Sequence, residues 1–289
     1  MALFKTKSEY QNIEVVSDEF YGAILILDGV GQTTQKDEYF YHEMMVHPAL
    51  LGSNFQNIHN FSVLIIGGGD GGTLREVLRH EFVKKVVMVE LDREVVETAK
   101  KYLGINGNYS DERVQLLFQD AFVYASEAKL LDQSFDVVIV DSSDPVGPSS
   151  RLYSEEFYTD LHNIITPTGS IVVHVGHPFW NATLINYVTF QMSQLFSSVE
   201  TVRVGVPSYA GSEFVFAIAT KDGHSASYPR VEFTGRYYNP DIHMGAFTTP
   251  TFWDPYLHGH QKTQAFQKLR SEQCSADRSP KQVESTSKG

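Results

Sequence analysis

Along the chain, short and continuously apolar runs alternate with stretches whose apolar positions recur at helical spacing. The runs Val63 to Ile66, Val86 to Val89, Val114 to Phe118, Val137 to Val140 and Ile171 to Val173 are each followed by a segment able to form a helix, such as Thr73 to His80 or Arg93 to Leu103. Strands that are apolar at every position, rather than at every second one, must be covered on both faces. Separated by helices, they predict an α/β fold with a doubly wound, mostly parallel sheet and a ligand site outside the carboxyl ends of its strands. Upstream, Ile13 to Val16 and Ala23 to Leu27 flank Tyr21-Gly22 and end at Asp28-Gly29, which predicts a small N-terminal β-hairpin. Tyr41, Met44, Met45 and Leu50 predict a linking helix over Glu38 to Leu51. Val199 to Val206 and Phe214 to Ala219 enclose Pro207-Ser208-Tyr209-Ala210-Gly211 and predict a late antiparallel pair. The chain therefore divides into an N-terminal region over 1–52, a main domain over 53–270 and a polar tail over 271–289.

Composition narrows the classes. No run approaches the roughly 18 uncharged apolar residues of a membrane-spanning helix, and Met1 to Lys5 lacks a signal-like apolar stretch, so a soluble, cytoplasmic protein is expected. The one cysteine, Cys274, cannot close an internal disulfide, which fits a reducing compartment. A formal net charge of -12 works against nucleic-acid binding, which needs clustered Lys and Arg, and would attract a polycation.

The chemistry concentrates after the apolar runs. Val63-Leu64-Ile65-Ile66 leads directly into Gly67-Gly68-Gly69-Asp70-Gly71-Gly72 and then into the helix beginning at Thr73. Glycines there let the backbone turn sharply beside a bulky ligand, and the helix start offers free N–H groups. At the end of the next run, Glu90 stands where a carboxylate accepts hydrogen bonds from ribose hydroxyls. Phe118-Gln119-Asp120 closes the third run with an acid that can reach an adenine amino group, cap the helix from Ala121, or do both. The strand, loop, helix, strand, acid order points to an adenosine-containing ligand. Asp70 then discriminates, because a pyrophosphate or the carboxylate of ordinary S-adenosylmethionine would meet a like charge, a repulsion of several kcal/mol in a dry cleft. A ligand end carrying only an ammonium, as in decarboxylated S-adenosylmethionine, would be favoured. The fourth run ends in Asp141-Ser142-Ser143-Asp144-Pro145-Val146-Gly147-Pro148, where two carboxylates in a stiffened loop face the same crevice and call for a cation.

These motifs, with Leu27-Asp28-Gly29-Val30, Asp37-Glu38, Tyr41-His42-Glu43, Pro207-Ser208-Tyr209 and Tyr237-Tyr238-Asn239-Pro240-Asp241-Ile242-His243, together resemble the spermidine synthases, the polyamine aminopropyltransferase family. The resemblance runs collinearly from about Tyr10 to Pro250 and implies a Rossmann-like sheet of the class I methyltransferase type. It implies transfer of the aminopropyl group of decarboxylated S-adenosylmethionine, a co-substrate, to putrescine. Neither a cofactor nor a metal is expected, and a homodimer or homotetramer is.

By the resemblance Gln11, Gly67, Gly69, Glu90, Asp120 and Ala121 would hold the nucleoside, while Asp70 and Asp141 would bind the aminopropyl ammonium. Asp141, Tyr41 and Tyr209 would orient and deprotonate the attacking amine, with His42 and Asp144 at the polyamine end. Read only by residue type, Tyr41 is equally a core position of its helix, Tyr209 a turn aromatic and His42 a surface histidine. The pair His174 and His177 lacks a further ligand to make a metal site. Two departures stand out. Family members usually carry an N-terminal strand pair with a Trp, a Phe and a Glu before the segment that begins here at Ser8, so part of the distal-amine pocket is expected to be missing. Where the family commonly has an amide or acid after a glycine, this sequence has Gly176-His177-Pro178-Phe179-Trp180, which leaves acceptor length open. The alternatives are an aminopropyltransferase for agmatine, cadaverine or spermidine, a nucleoside-binding homologue without catalysis, and, less favoured by Asp70, a methyltransferase.

Overall fold

The N-terminal apolar runs pair as expected, but inside a larger unit. In the computed structural model, which describes residues 1–54, 60–105, 107–145, 147–211 and 213–253, the strands β1 (Ala2–Lys7), β2 (Asn12–Asp18), β3 (Gly22–Leu27) and β4 (Val30–Thr34) form a four-stranded antiparallel sheet in that order. The hairpin read from the sequence is its central pair. The two outer strands were illegible because neither carries a buried apolar stripe: β1 is largely exposed, and β4 buries only its two threonines. On one face Ile13, Val15, Ala23 and Leu25 pack against Val95, Ala99, Leu103 and Ile105, which fixes the small sheet to the main body.

The helix α1 (Glu38–Leu51) has the predicted bounds. It is more than a link, since Met44, Met45, Val46 and Leu50 are fully buried in the core of the main sheet. That sheet has seven strands, β5 (Phe61–Gly67), β6 (Val83–Glu90), β7 (Val114–Phe118), β8 (Phe135–Asp141), β9 (Ile165–Gly176), β10 (Ser198–Gly205) and β11 (Glu213–Thr220), in the order β10-β11-β9-β8-β5-β6-β7. Strands β5 to β9 run parallel to one another, and β11 pairs antiparallel with both β9 and β10, the latter being the predicted late pair.

Strand alternation explains the continuous apolar runs. On β5, Val63 and Ile65 enter the core that includes α1 and α2 (Gly72–Leu78), whereas Leu64 and Ile66 enter the opposite core. That second core includes side chains of α4 (Ala121–Leu130), α5 (Glu155–Ile164) and α6 (Ala182–Leu195). Each such side chain, removed from water on both faces of the sheet, stabilises the fold by about 1.5–3 kcal/mol. Parallel register brings the chemistry to one edge: Gly67 lies opposite Asp141, and Glu90 opposite Phe118. Between β6 and β7, α3 (Arg93–Tyr102) starts at Asp92, whose side chain caps it by accepting from Glu94 N. Among the described residues, no helix is long and apolar enough to cross a membrane. The tail over 271–289 lies outside the described residues.

Candidate active site

The glycine turn is dictated by what lies against it. Gly67 has φ 77°, and a Cβ placed there would lie 2.1 Å from the carbonyl oxygen of Asp141. Only glycine allows β5 and β8 to end this close together. At Gly72 a Cβ would lie 2.2 Å from Nδ1 of His42, so the start of α2 rests directly on that ring. Gly72 N also donates to Asp70 Oδ1 at 2.9 Å, which anchors the Asp70 carboxylate at the mouth of the turn.

Asp141, at the end of β8, is partly buried and held by two hydroxyls. Tyr41 donates to Oδ1 at 2.9 Å and Thr73 donates to Oδ2 at 2.6 Å. Burial pushes the Asp141 carboxyl above the usual carboxylate range, with His42 opposing the shift and Asp70 adding to it. Tyr41 is both of the things its residue type allowed. Its ring packs against Tyr209, Phe214 and Phe216 while its hydroxyl reaches the crevice. Burial, then Asp141, raise its phenol well above the ordinary value, so at neutral pH it serves only as a proton-bearing donor. Tyr209 lies 6.0 Å from Tyr41, ring to ring, but its hydroxyl donates to the carbonyl of Gln32 on β4 at 3.1 Å rather than to Asp141.

His42 corrects the reading of a surface histidine, being only 2% exposed. Its Nδ1 lies 2.6 Å from Glu38 Oε2, one helical turn earlier, and its Nε2 lies 3.3 Å from Asp70 Oδ2. Burial alone would depress its pKa, but Asp70 and Glu38 overcome this and hold it well above the usual histidine range. In return, burial would raise the Asp70 carboxyl, but His42, the Gly72 N–H and Arg75 together keep it low. Behind them, Arg75 grips Glu38 with both terminal nitrogens at 2.8 Å. Sequence reasoning missed Glu38, Thr73 and Arg75 as contributors. The available signals were the Glu38 to His42 spacing on a helix and the position of Thr73 just after the glycines.

At the other end of the crevice Glu90 ends β6, with its Oε2 2.8 Å from where a Cβ on Gly69 would sit. Burial pushes its carboxyl up to about 7, opposed by a hydrogen bond from Asp92 N and reinforced by the Asp92 charge. Gln11 is brought to this turn, donating through Nε2 to Asp92 Oδ2 at 2.9 Å, and Ser8 reaches the same oxygen at 2.6 Å. Asp120 caps α4 by accepting from Phe122 N at 2.8 Å, with Ala121 buried beside it, and its second oxygen lies 3.4 Å from Arg151. Asp144 is exposed in the loop after β8 and is not drawn into the Asp70, Asp141 and His42 cluster. His174 and His177 do not converge on a common ligand. His174 bonds Tyr153 at 2.7 Å, and His177 bonds the Gly211 carbonyl at 3.2 Å. Glu43, His47 and Glu76 do bring ligand atoms within 4.8 Å of one another. Their acceptor capacity is taken by backbone amides of residues 236–238 and by Arg75 and Arg79, which leaves a poor setting for a further cation.

A doubly wound sheet with a glycine turn, a buried acid at the end of the second strand and further acids at the neighbouring strand end defines a Rossmann-like fold with its candidate site at the carboxyl ends of the strands. The family model described as spermine/spermidine synthase domain matches residues 38–229, and the one described as spermidine synthase tetramerisation domain matches residues 1–35. Over 252 residues the chain is 38% identical to a polyamine aminopropyltransferase of Thermoanaerobacter sp., covering 85% of this chain and 88% of that one. It is 39% identical over 263 residues to one from Hydrogenobaculum sp., covering 90% and 91%. A crystal structure of spermidine synthase in complex with the transition-state analogue AdoDATO superposes with a TM-score of 0.81 at 29% identity, covering 89% of this chain and 88% of that chain. That of Thermotoga maritima spermidine synthase gives 0.78 at 28%, covering 89% and 87%. The chain belongs to the spermine/spermidine synthase family and is a transferase of the polyamine aminopropyltransferase class.

Proposed function

We propose that this enzyme is a spermidine synthase, moving the aminopropyl group of decarboxylated S-adenosylmethionine onto putrescine to give spermidine and methylthioadenosine. The observation that carries the reading is the pair of Asp70, in the glycine turn after β5, and Asp141, at the end of the adjacent β8, with Tyr41 on Asp141. Two carboxylates there favour a donor end with an ammonium and no carboxyl group, and a second cation as acceptor.

In this reading Glu90 takes the ribose, Asp120 and Ala121 the adenine, and Gln11 closes the nucleoside end from the small sheet. Gly67 and Gly69 give the nucleoside its close approach to the backbone. Asp70 and Asp141 hold the aminopropyl ammonium and the acceptor, with His42 behind them, Tyr209 in the aromatic wall and Asp144 in the covering loop. The acceptor nitrogen attacks the carbon beside the sulfonium, the carbon–sulfur bond breaks, and its electron pair leaves on sulfur as a neutral thioether. Such a leaving group needs neither a metal nor a covalent nucleophile. The hard requirement is a neutral amine, which costs roughly 4 to 5 kcal/mol at neutral pH for a pKa near 10.4. Asp141 accepts the departing proton, and its raised pKa makes it a better base than an exposed aspartate. Orientation by Asp141 and Tyr41 contributes the rest.

Assaying the purified protein for methylthioadenosine release with decarboxylated S-adenosylmethionine and putrescine tests the proposal; no turnover with any diamine sinks it. A different acceptor is favoured by one observation. In the segment Gly176 to Trp180, Phe179 and Trp180 are exposed and His177 is spent on Gly211, so no carboxylate stands there for a distal ammonium. Product masses from a panel of putrescine, cadaverine, agmatine and spermidine separate the two. Assembly into a tetramer through the small sheet is the quaternary arrangement proposed, checked by sedimentation.

A further inference from the structure

His42 is enclosed by groups that constrain its protonation state by geometry alone. An ionised carboxylate only accepts hydrogen bonds, and a neutral imidazole has a single N–H. Here both ring nitrogens face carboxylates, Glu38 at 2.6 Å and Asp70 at 3.3 Å, so satisfying both contacts requires both ring protons. The titratable and charged groups facing the ring are Glu38 and Tyr41 from α1, Asp70 from the glycine turn, Arg75 from α2 and Asp141 from β8. Three of these are acids. Arg75 is committed to Glu38, and Tyr41 donates to Asp141. The backbone of Gly72, pressed on the ring, prevents it from turning away.

We propose that Glu38, clamped by Arg75, is a positioning residue that holds His42 as an imidazolium, and that this fixed charge lowers the pKa of the acceptor amine bound beside Asp70 and Asp141. The inference rests on the amine-transfer reading above and adds how the amine comes to be neutral. Asp70 and Asp141 attract a cationic acceptor, but uncompensated they would also keep its proton on. An imidazolium against Asp70 offsets one of the two negative charges, and a like charge nearby disfavours the protonated amine. The pocket then gathers a polycation without trapping its reacting nitrogen as ammonium.

Nitrogen NMR of the full chain labelled at histidine tests the first half without any turnover. Both ring nitrogens of His42 are expected to show the protonated signature at pH 8, and a neutral tautomer there overturns the proposal. The second half is read in the pH profile of kcat, which reports the substrate complex. Glu38→Gln and His42→Gln should each move its rising limb upward by about one pH unit, a shift that a merely loosened fold would not produce. Glu38→Asp, which keeps the charge, should move it less. An unmoved limb in His42→Gln overturns the proposal even if the Glu38 variants do not fold. Failure of every amine to react in the wild type would remove the acceptor reading, while the NMR result would still decide the state of His42.

Discussion

Two acidic clusters lie within a helix length of each other, and they are completed differently. In the one below the crevice, Glu43 accepts from the backbone N–H groups of Arg236, Tyr237 and Tyr238 at 2.7 to 2.8 Å. Glu76 beside it is taken by Arg75, Arg79 and His47 at 2.7, 2.7 and 3.1 Å. Burial pulls the neighbouring His80 down to about 3, so it remains neutral with its Nε2 3.0 Å from His47. In the crevice, each oxygen of Asp141 receives one hydroxyl, and an ionised carboxylate has about four accepting positions. Acid density is common to both. Unused accepting capacity is what separates a candidate binding cluster from a structural knot.

The sharpest way to break that contrast is Asp141→Asn. Turnover should fall by three or more orders of magnitude while methylthioadenosine affinity stays within a few fold, measured by steady-state kinetics and calorimetry. Near-wild-type rates would mean that another group handles the amine. Glu43→Ala should do the reverse. It leaves three backbone N–H groups without that acceptor, one of them on the buried Tyr238, at a cost of about 2 to 3 kcal/mol and a fall in Tm of roughly 5 °C, with KM of the folded fraction little changed. Equal Tm values would show that the knot is dispensable. Tyr41→Phe should lower kcat by roughly tenfold to a hundredfold with a smaller effect on KM, since it removes one hydroxyl from Asp141 and leaves the aromatic wall. The smallest effect concerns Glu90. In the proposed reading its carboxyl, pushed up to about 7 by burial, accepts from both ribose hydroxyls only when ionised, so nucleoside affinity should rise with pH. If only the ionised form binds, methylthioadenosine should bind roughly tenfold more weakly at pH 6 than at pH 8, and Glu90→Gln should flatten the dependence.

The main sheet was legible because strands buried on both faces leave an uninterrupted apolar record, as Val137 to Val140 do. β1 and β4 left none, because strands with little buried apolar surface are indistinguishable from loops in sequence. The acids near the strand ends were legible for a related reason: Glu90 and Asp141 directly follow such runs, and Asp70 follows one across three glycines. What escaped was the company they keep. Glu38 and His42 sit on a helix that reads simply as apolar, and the pairing of Glu38 with Arg75 and of His42 with Asp70 depends on how α1 lies against the glycine turn and α2, which no local pattern records. Tyr209 was placed near the reacting centre by resemblance, and its ring lies 6.0 Å from that of Tyr41. Its hydroxyl is bound to Gln32, a contact between residues 177 positions apart.

That contact has a partner. Asp37, just before α1, accepts from both the backbone and the hydroxyl of Ser208, so the loop bearing Tyr209 is stitched to β4 of the small sheet and to the segment that leads from it into α1. A subunit joining through that sheet would therefore brace the aromatic floor of the pocket from outside, and dissociation would slacken it. In the proposed tetramer, quaternary state and the packing of the Tyr209 ring would then be mechanically one property.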